Sequence, residues 1–215
     1  MKRLVKPSAV SGTVQAPASK SVAQRAIALA AMARGHSEIF NAGTSEDCLA
    51  AIRVCKDLGA SVEIDNDRIV INGGLKLPEQ PLNCGESGLG IRMFSSVAST
   101  LSGEVVLTGE GSLKKRPMQM IADALTQAGV ECSTANGYLP IRVKGPMKGG
   151  VISIDGSLSS QVLTGLLMAS PMAHSDVTIQ VSNLKSTPYV QLTIDMMRSF
   201  GVEVENIDNT QFRVK

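Results

Sequence analysis

The chain has 215 residues, 43% of them hydrophobic and 19% charged, enough to bury most of its apolar surface in one large unit or two small ones. A formal charge of +2 and only 3% aromatic residues provide neither the basic field nor the stacking platforms of a nucleic-acid binder. No apolar run reaches membrane-spanning length, and the cations of MKRLVKPSAVSG precede no apolar signal core, so a membrane or secreted protein is excluded as an expectation.

Cys48, Cys55, Cys84 and Cys132 are scattered without CxxC spacing, and His36 and His174 lie in no HxH or HExxH pattern. Free thiols in a reducing cytoplasm, with no metal site, are expected.

In chain order, a short extended run at residues 12–16 meets Pro17, and Ser19-Lys20-Ser21 then opens an alanine-rich helix over about residues 21–34. Serine suits a helix start because its hydroxyl accepts an orphan N–H. The same start presents unpaired N–H groups and the positive end of the macrodipole, which favour an anion. Lys20 adds a full charge there, and Arg25 follows about a turn later. The plainer alternative is a capped helix with two solvated cations. A strand at residues 37–41 follows, and Thr44-Ser-Glu-Asp47 reads as a capping box. Its helix carries Leu49, Ile52, Cys55 and Leu58 and stops at Gly59; residues 61–64 and 68–71 then form a hairpin.

A second pass begins at residues 82–84, continues through Gly85-Glu-Ser-Gly88 into an amphipathic run over residues 89–101, and returns as a strand at 104–107. A helix over residues 117–128 stops at Gly129, and strands at 130–133 and 139–143 flank the hairpin dipeptide Asn136-Gly137. The third pass has a strand at 151–154, a helix running to about Ala169, and a strand at 176–181. Thr187-Pro188 then reads as a cap with proline at the first helical position; that helix stops at Gly201, and a hairpin at 202–205 and 211–214 closes the pass.

The order strand, helix, strand, helix, hairpin thus occurs three times, over about residues 13–75, 80–145 and 150–215, with stop glycines about 70 residues apart. Such units cannot bury their faces alone, so an α/β fold of three βαβαββ repeats around one core and a pseudo-threefold axis is predicted. That arrangement would gather the helix starts near residues 19–21, 86–88 and 157–160 on one anion, each contributing roughly 0.3–1 kcal/mol.

Three further stretches suit anions. Gly109-Glu-Gly-Ser-Leu-Lys-Lys-Arg116-Pro117 lacks the Walker spacing but is a basic loop at a helix entrance, with Arg116 able to clamp two oxygens. Ser159-Ser160-Gln161 offers two hydroxyls and an amide, and Lys185-Ser186-Thr187-Pro188-Tyr189 offers hydroxyls at another helix start. Two SxxK matches lack the SDN and KTG companions of penicilloyl chemistry.

PASKSVAQRA, CGESGLGIR, LTGEGSLKKRPM, IDGSLSSQVLTGLLMA and KSTPYVQLTIDMMRSFGV, in this order, resemble the 5-enolpyruvylshikimate-3-phosphate synthase family. The resemblance implies transfer of the enolpyruvyl group of phosphoenolpyruvate to the 5-hydroxyl of shikimate 3-phosphate through a tetrahedral ketal, with no metal or organic cofactor. It places Lys20 on both substrates, as the catalytic residue, and Ser21, Arg25, Ser159, Ser160, Gln161, Ser186 and Tyr189 on shikimate 3-phosphate. Gly88, Arg116 and Gln161 are placed with Lys20 on phosphoenolpyruvate.

Two departures stand out. The family's GNAGT reads Gly85-Glu86-Ser87-Gly88-Leu89 here, which sets a carboxylate beside anionic substrates unless it is paired or turned away. The family also has two three-unit domains, whereas this chain supplies one, plus a segment over residues 1–12 that in the family crosses to the other. The resemblance therefore implies a shikimate-phosphate-binding half that needs a complementary second domain and turns over little alone. A non-catalytic scaffold of the same fold and a UDP-N-acetylglucosamine enolpyruvyl transferase are the alternatives.

Overall fold

Three helices present almost nothing for water to solvate. In the computed structural model, which describes residues 3–4, 6–157 and 159–215, α1 (Lys20–Met32) is buried from Ala23 to Ala31. Helix α3 (Gly88–Ala98) is buried along its whole length and α5 (Ser160–Ala169) from Val162 onward. Helices apolar or small on every side must be covered on every side, and α3 packs against both α1 and α5. The α3–α5 approach depends on Gly165, where an added Cβ would lie 2.7 Å from the Arg92 carbonyl oxygen. Phe94, Leu163, Leu166 and Leu167 fill the centre at 1% exposure or less, each contributing about 1.5–3 kcal/mol of transfer free energy.

The other helices, α2 (Glu46–Asp57), α4 (Gln119–Gln127) and α6 (Thr187–Ser199), each bury a single stripe. In α6 the stripe is Val190, Thr193, Ile194 and Met197, the spacing of one helix face. Outside the helices lie three sheets. Strands β1 (His36–Phe40), β2 (Ser61–Asp65) and β3 (Arg68–Asn72) run in the order β1-β3-β2. Strands β4 (Leu82–Asn83), β5 (Glu104–Thr108), β6 (Glu131–Ala135) and β7 (Tyr138–Lys144) run β4-β5-β7-β6. Strands β8 (Gly150–Asp155), β9 (Val177–Ser182), β10 (Val204–Ile207) and β11 (Gln211–Val214) run β8-β9-β11-β10, the same order again. In both four-stranded sheets the first pair is parallel and the rest antiparallel. Asn136 and Gly137 turn between β6 and β7 at φ 52° and 85°, as a type I′ hairpin requires.

Four expectations are corrected. Residues 12–16 form no strand: they are exposed, with Val14, their one large apolar side chain, 90% exposed. A single such residue before Pro17 gives a ladder little to bury, and the first sheet is one strand short of the others. The box at Thr44 does not form, and the cap sits one residue later. Ser45 is the cap, accepting from Cys48 N at 3.3 Å, because Asp47 turns away to a full cation, Lys20 Nζ, at 2.8 Å. Helix α6 begins at Thr187 rather than after it; Ser186 is its N-cap residue, in the left-handed conformation at φ 59°, and its hydroxyl caps nothing. Finally, Gly111–Lys115 is a 3-10 turn, so α4 starts two residues later than expected. Met1, Lys2 and Val5, within the segment expected to cross to a second domain, and Leu158 of the GSLSSQ motif lie outside the described residues. No helix among the described residues is long and apolar enough to cross a membrane.

Candidate functional site

The buried helices α1, α3 and α5 each start with a serine cap. Ser19 accepts from Val22 N at 3.4 Å, Ser87 from Gly90 N at 3.0 Å and Ser159 from Gln161 N at 3.2 Å. None has an acidic residue in its first turn, so the positive end of each macrodipole is left uncompensated within its own helix. All three starts open on one cavity of about 660 Å³. Each of the ten residues expected in the site lines it: Lys20, Ser21, Arg25, Gly88, Arg116, Ser159, Ser160, Gln161, Ser186 and Tyr189.

At the α1 corner, Arg25 is 2% exposed and tied to neutral groups. Its Nε donates to Thr193 Oγ1 at 2.8 Å, Nη1 to the Ser21 carbonyl at 2.8 Å, and Nη2 to Thr164 Oγ1 at 3.1 Å and the Tyr189 carbonyl at 3.4 Å. Burial pulls its pKa down to about 10, which leaves it charged at neutral pH with no carboxylate paired to it among the described residues. Lys20 is paired with Asp47, but at 55% side-chain exposure that pair is worth at most about 1 kcal/mol and yields readily to a multiply charged anion.

The α3 corner brings Arg116 over Gly88, where a Cβ would collide with the guanidinium Nη1. Behind it stands Arg92, 3% exposed, donating from Nη1 to the Gly88 carbonyl at 2.8 Å and to Gln161 Oε1 at 3.3 Å. Its Nε has no hydrogen-bond partner among the described residues. Burial first, then the charge of Arg116, lowers its pKa to about 10. Glu86 lines the cavity too, but its carboxylate accepts from Ser112 N and Oγ, both at 2.8 Å, and those bonds hold it below the usual carboxylate range. The carboxylate is thus held in place by neutral donors but keeps its charge beside the cavity.

At the α5 corner, Asp155 accepts from Ser157 N at 2.9 Å and shapes the turn carrying Ser159 and Ser160. Ser186 and Lys185 face the same space, and Tyr189, 52% exposed, forms its rim.

Sequence reasoning assigned no role to Gln24, Arg92 or Lys185. Gln24 accepts from Ser87 Oγ at 2.7 Å and so fastens α1 to the α3 cap. The available signal was a charge or amide standing alone in an otherwise small and apolar helix, as Gln24-Arg25 does in α1 and Arg92 in α3. Among the described residues no cluster of three His, Cys, Asp or Glu side chains is placed to hold a metal. Cations, hydroxyls and free N–H groups converging from three helix starts can bind a small molecule with several anionic oxygens.

Comparison with known proteins gives the same family as the motifs. The sequence matches the family EPSP synthase (3-phosphoshikimate 1-carboxyvinyltransferase) over residues 4–215. It is 40% identical over 212 residues to 3-phosphoshikimate 1-carboxyvinyltransferase of Nitrosopumilus maritimus, covering 96% of this chain and 50% of that one. It is 42% identical over 214 residues to the Methanocorpusculum labreanum protein of the same name, covering 97% and 51%. Among solved structures, EPSP synthase from Acinetobacter baumannii superposes with a TM-score of 0.84 at 30% identity, over 94% of this chain and 47% of that one. The enolpyruvyl transferase NikO from Streptomyces tendae, at 17% identity and a TM-score of 0.72, shares the fold, over 95% of this chain and 48% of that one. The chain therefore spans about half the length of the curated relatives it matches, and it belongs to the EPSP synthase family.

Proposed function

We propose that this chain is the shikimate-3-phosphate-binding half of a cytoplasmic synthase that transfers the enolpyruvyl group of phosphoenolpyruvate to the 5-hydroxyl of shikimate 3-phosphate. The observation that carries the reading is the meeting of three uncompensated helix starts and the unpaired buried Arg25 at one cavity. Ser159, Ser160 and Ser186 take the shikimate phosphate, Arg25 and Ser21 the ring and its carboxylate, and Tyr189 its exposed edge. Lys20 reaches both substrates, Gly88 and Arg116 hold phosphoenolpyruvate, and Gln161 lies between the two.

The chemistry adds the hydroxyl oxygen to the phosphate-bearing carbon of the enol phosphate while the vinyl carbon becomes a methyl group, and then eliminates phosphate as that methyl gives a proton back. The hydroxyl proton must leave and the vinyl carbon must gain one, which calls for positioned acids and bases. Asp47 and Glu86, the two carboxylates lining the cavity, are engaged by Lys20 and Ser112. The acid and base come from a complementary second domain, corresponding to the part of the relatives that this chain does not cover. Residues 13–215 form the three-repeat half, with repeats over about 13–75, 80–145 and 150–215.

Calorimetric titration with shikimate 3-phosphate tests this. Saturable binding that is lost in a Lys20→Ala, Arg25→Met double variant is expected, and no saturation near millimolar ligand overturns the reading. An activity assay tests the second part: turnover should appear only when a complementary second domain is present.

A further inference from the structure

We propose that Glu86 is a positioning residue: its carboxylate clamps the 109–116 loop so that the Arg116 guanidinium stands over Gly88 and faces the incoming anion. This rests on the reading of the Gly88–Arg116 corner as the phosphoenolpyruvate site. A carboxylate in the wall of an anion cavity repels the ligand, so its presence needs another physical reason. The loop is shaped to receive it. Glu86 Oε2 accepts both the backbone N–H and the hydroxyl of Ser112 at 2.8 Å. The preceding residue is Gly111, at φ +51°, where any Cβ would collide with the Glu86 carboxylate.

The start of the loop is joined to the same strand end. Glu110 N donates to the Gly85 carbonyl at 2.7 Å, and Asn83 Nδ2 donates to Glu110 Oε1 at 2.7 Å. From Ser112 the chain runs through one 3-10 turn, with Leu113 fully buried, to Arg116, whose N–H donates to the Leu113 carbonyl at 3.1 Å. A turn this short has little freedom to absorb displacement, so the position of Ser112 fixes that of Arg116. Glu86 thus holds both sides of the corner: it lies two residues before Gly88 and is bonded four residues before Arg116.

Two effects of opposite sign then compete at this side chain, and substitutions separate them. Glu86→Ala removes charge and clamp together, whereas Glu86→Gln removes the charge but leaves an amide oxygen able to accept from Ser112. Hydrogen exchange of the 112–116 amides in the free chain, together with phosphoenolpyruvate titration in saturating shikimate 3-phosphate, reads both. Glu86→Ala should speed exchange by about tenfold, the loss of a charge-assisted bond, and weaken phosphoenolpyruvate binding by about fivefold. Glu86→Gln, which keeps neutral hydrogen bonds to Ser112, should exchange at a rate between that of Glu86→Ala and that of the unsubstituted chain, and bind at least as tightly. Phosphoenolpyruvate affinity that is unchanged or raised in Glu86→Ala, or unchanged exchange, overturns the proposal. If the unsubstituted chain binds no phosphoenolpyruvate, the functional reading of the corner fails, and exchange alone decides whether Glu86 holds the loop.

Discussion

Arg25 and Arg92 are both buried to within 3% of complete, and burial brings both to about pKa 10, yet their surroundings differ. Around Arg25, where α1 meets α5 and α6, every guanidinium nitrogen donates to a threonine hydroxyl or a carbonyl. Around Arg92, behind Gly88, Nε has no partner among the described residues, and the charge of Arg116 adds to the burden of burial. A fully hydrogen-bonded cation is held in place before any ligand arrives, and an anion need only approach it. A cation with an orphan donor and a like-charged neighbour is under electrostatic load, which an anion entering at Arg116 would relieve. One corner is organised for geometry and the other is poised for charge.

The largest effects should fall on the first corner. Arg25→Met strips donors from Thr164, Thr193, Ser21 and Tyr189, and should cost about 2–3 kcal/mol in urea unfolding and at least about a hundredfold in shikimate 3-phosphate affinity. Arg92→Met removes an already strained charge, so it should cost about 1 kcal/mol or less in the same unfolding measurement. Equal stability losses for the two variants would erase the distinction between the corners.

Arg116→Gln sharpens it from outside. The residue is exposed, so unfolding should shift by less than about 0.5 kcal/mol, while phosphoenolpyruvate affinity should drop about tenfold, the worth of one charge-assisted contact. Gly88→Ala is smaller again. Its Cβ would collide with Arg116 Nη1, the far end of a flexible side chain, which can swing aside at little cost in melting temperature. A several-fold loss of phosphoenolpyruvate affinity without a change in melting is expected, and a large melting change would show that Gly88 serves the backbone rather than the corner.

Much of this was legible in the sequence wherever local chemistry decides local structure. Ser19, Ser87 and Ser159 each precede a small or apolar run, and each caps the helix that follows. Asn136-Gly137 is a hairpin dipeptide because both residues tolerate positive φ, and the turn uses it so. Repetition then did the long-range work, since equivalent helices packed into one core bring their starts together.

What stayed hidden depends on contacts between separate elements, or on backbone geometry that spacing does not reveal. Asp47 belongs by spacing to a capping box, but a lysine from another helix captures it. Ser186 reads as the residue before a cap, whereas its left-handed backbone keeps the hydroxyl free at the cavity. Arg92 looks like a solvated residue four positions after Gly88, until α5 brings Gln161 against it. The run at residues 12–16 has the alternation of a strand, but alternation without enough apolar surface gives no ladder.

The smallest effect concerns pH and belongs to the geometric side of the cavity. The Ser157 N–H and then its hydroxyl hold the Asp155 carboxyl below its ordinary value against desolvation, with lesser help from Asn183 and Lys185. A carboxyl whose folded pKa is lowered adds stability that is fully present above its unfolded value and is lost as pH falls through the folded one. Between neutrality and about pH 5 this group should therefore leave stability flat, and below about pH 4 it should contribute to the acid loss. Asp155→Asn keeps an acceptor for Ser157 but cannot titrate, so its unfolding free energy should fall less steeply on the acid side while matching in shape near neutrality. Parallel curves for the two proteins down to the acid limit would mean that the turn carrying Ser159 and Ser160 owes nothing to this charge. The α5 corner would then be held by backbone alone.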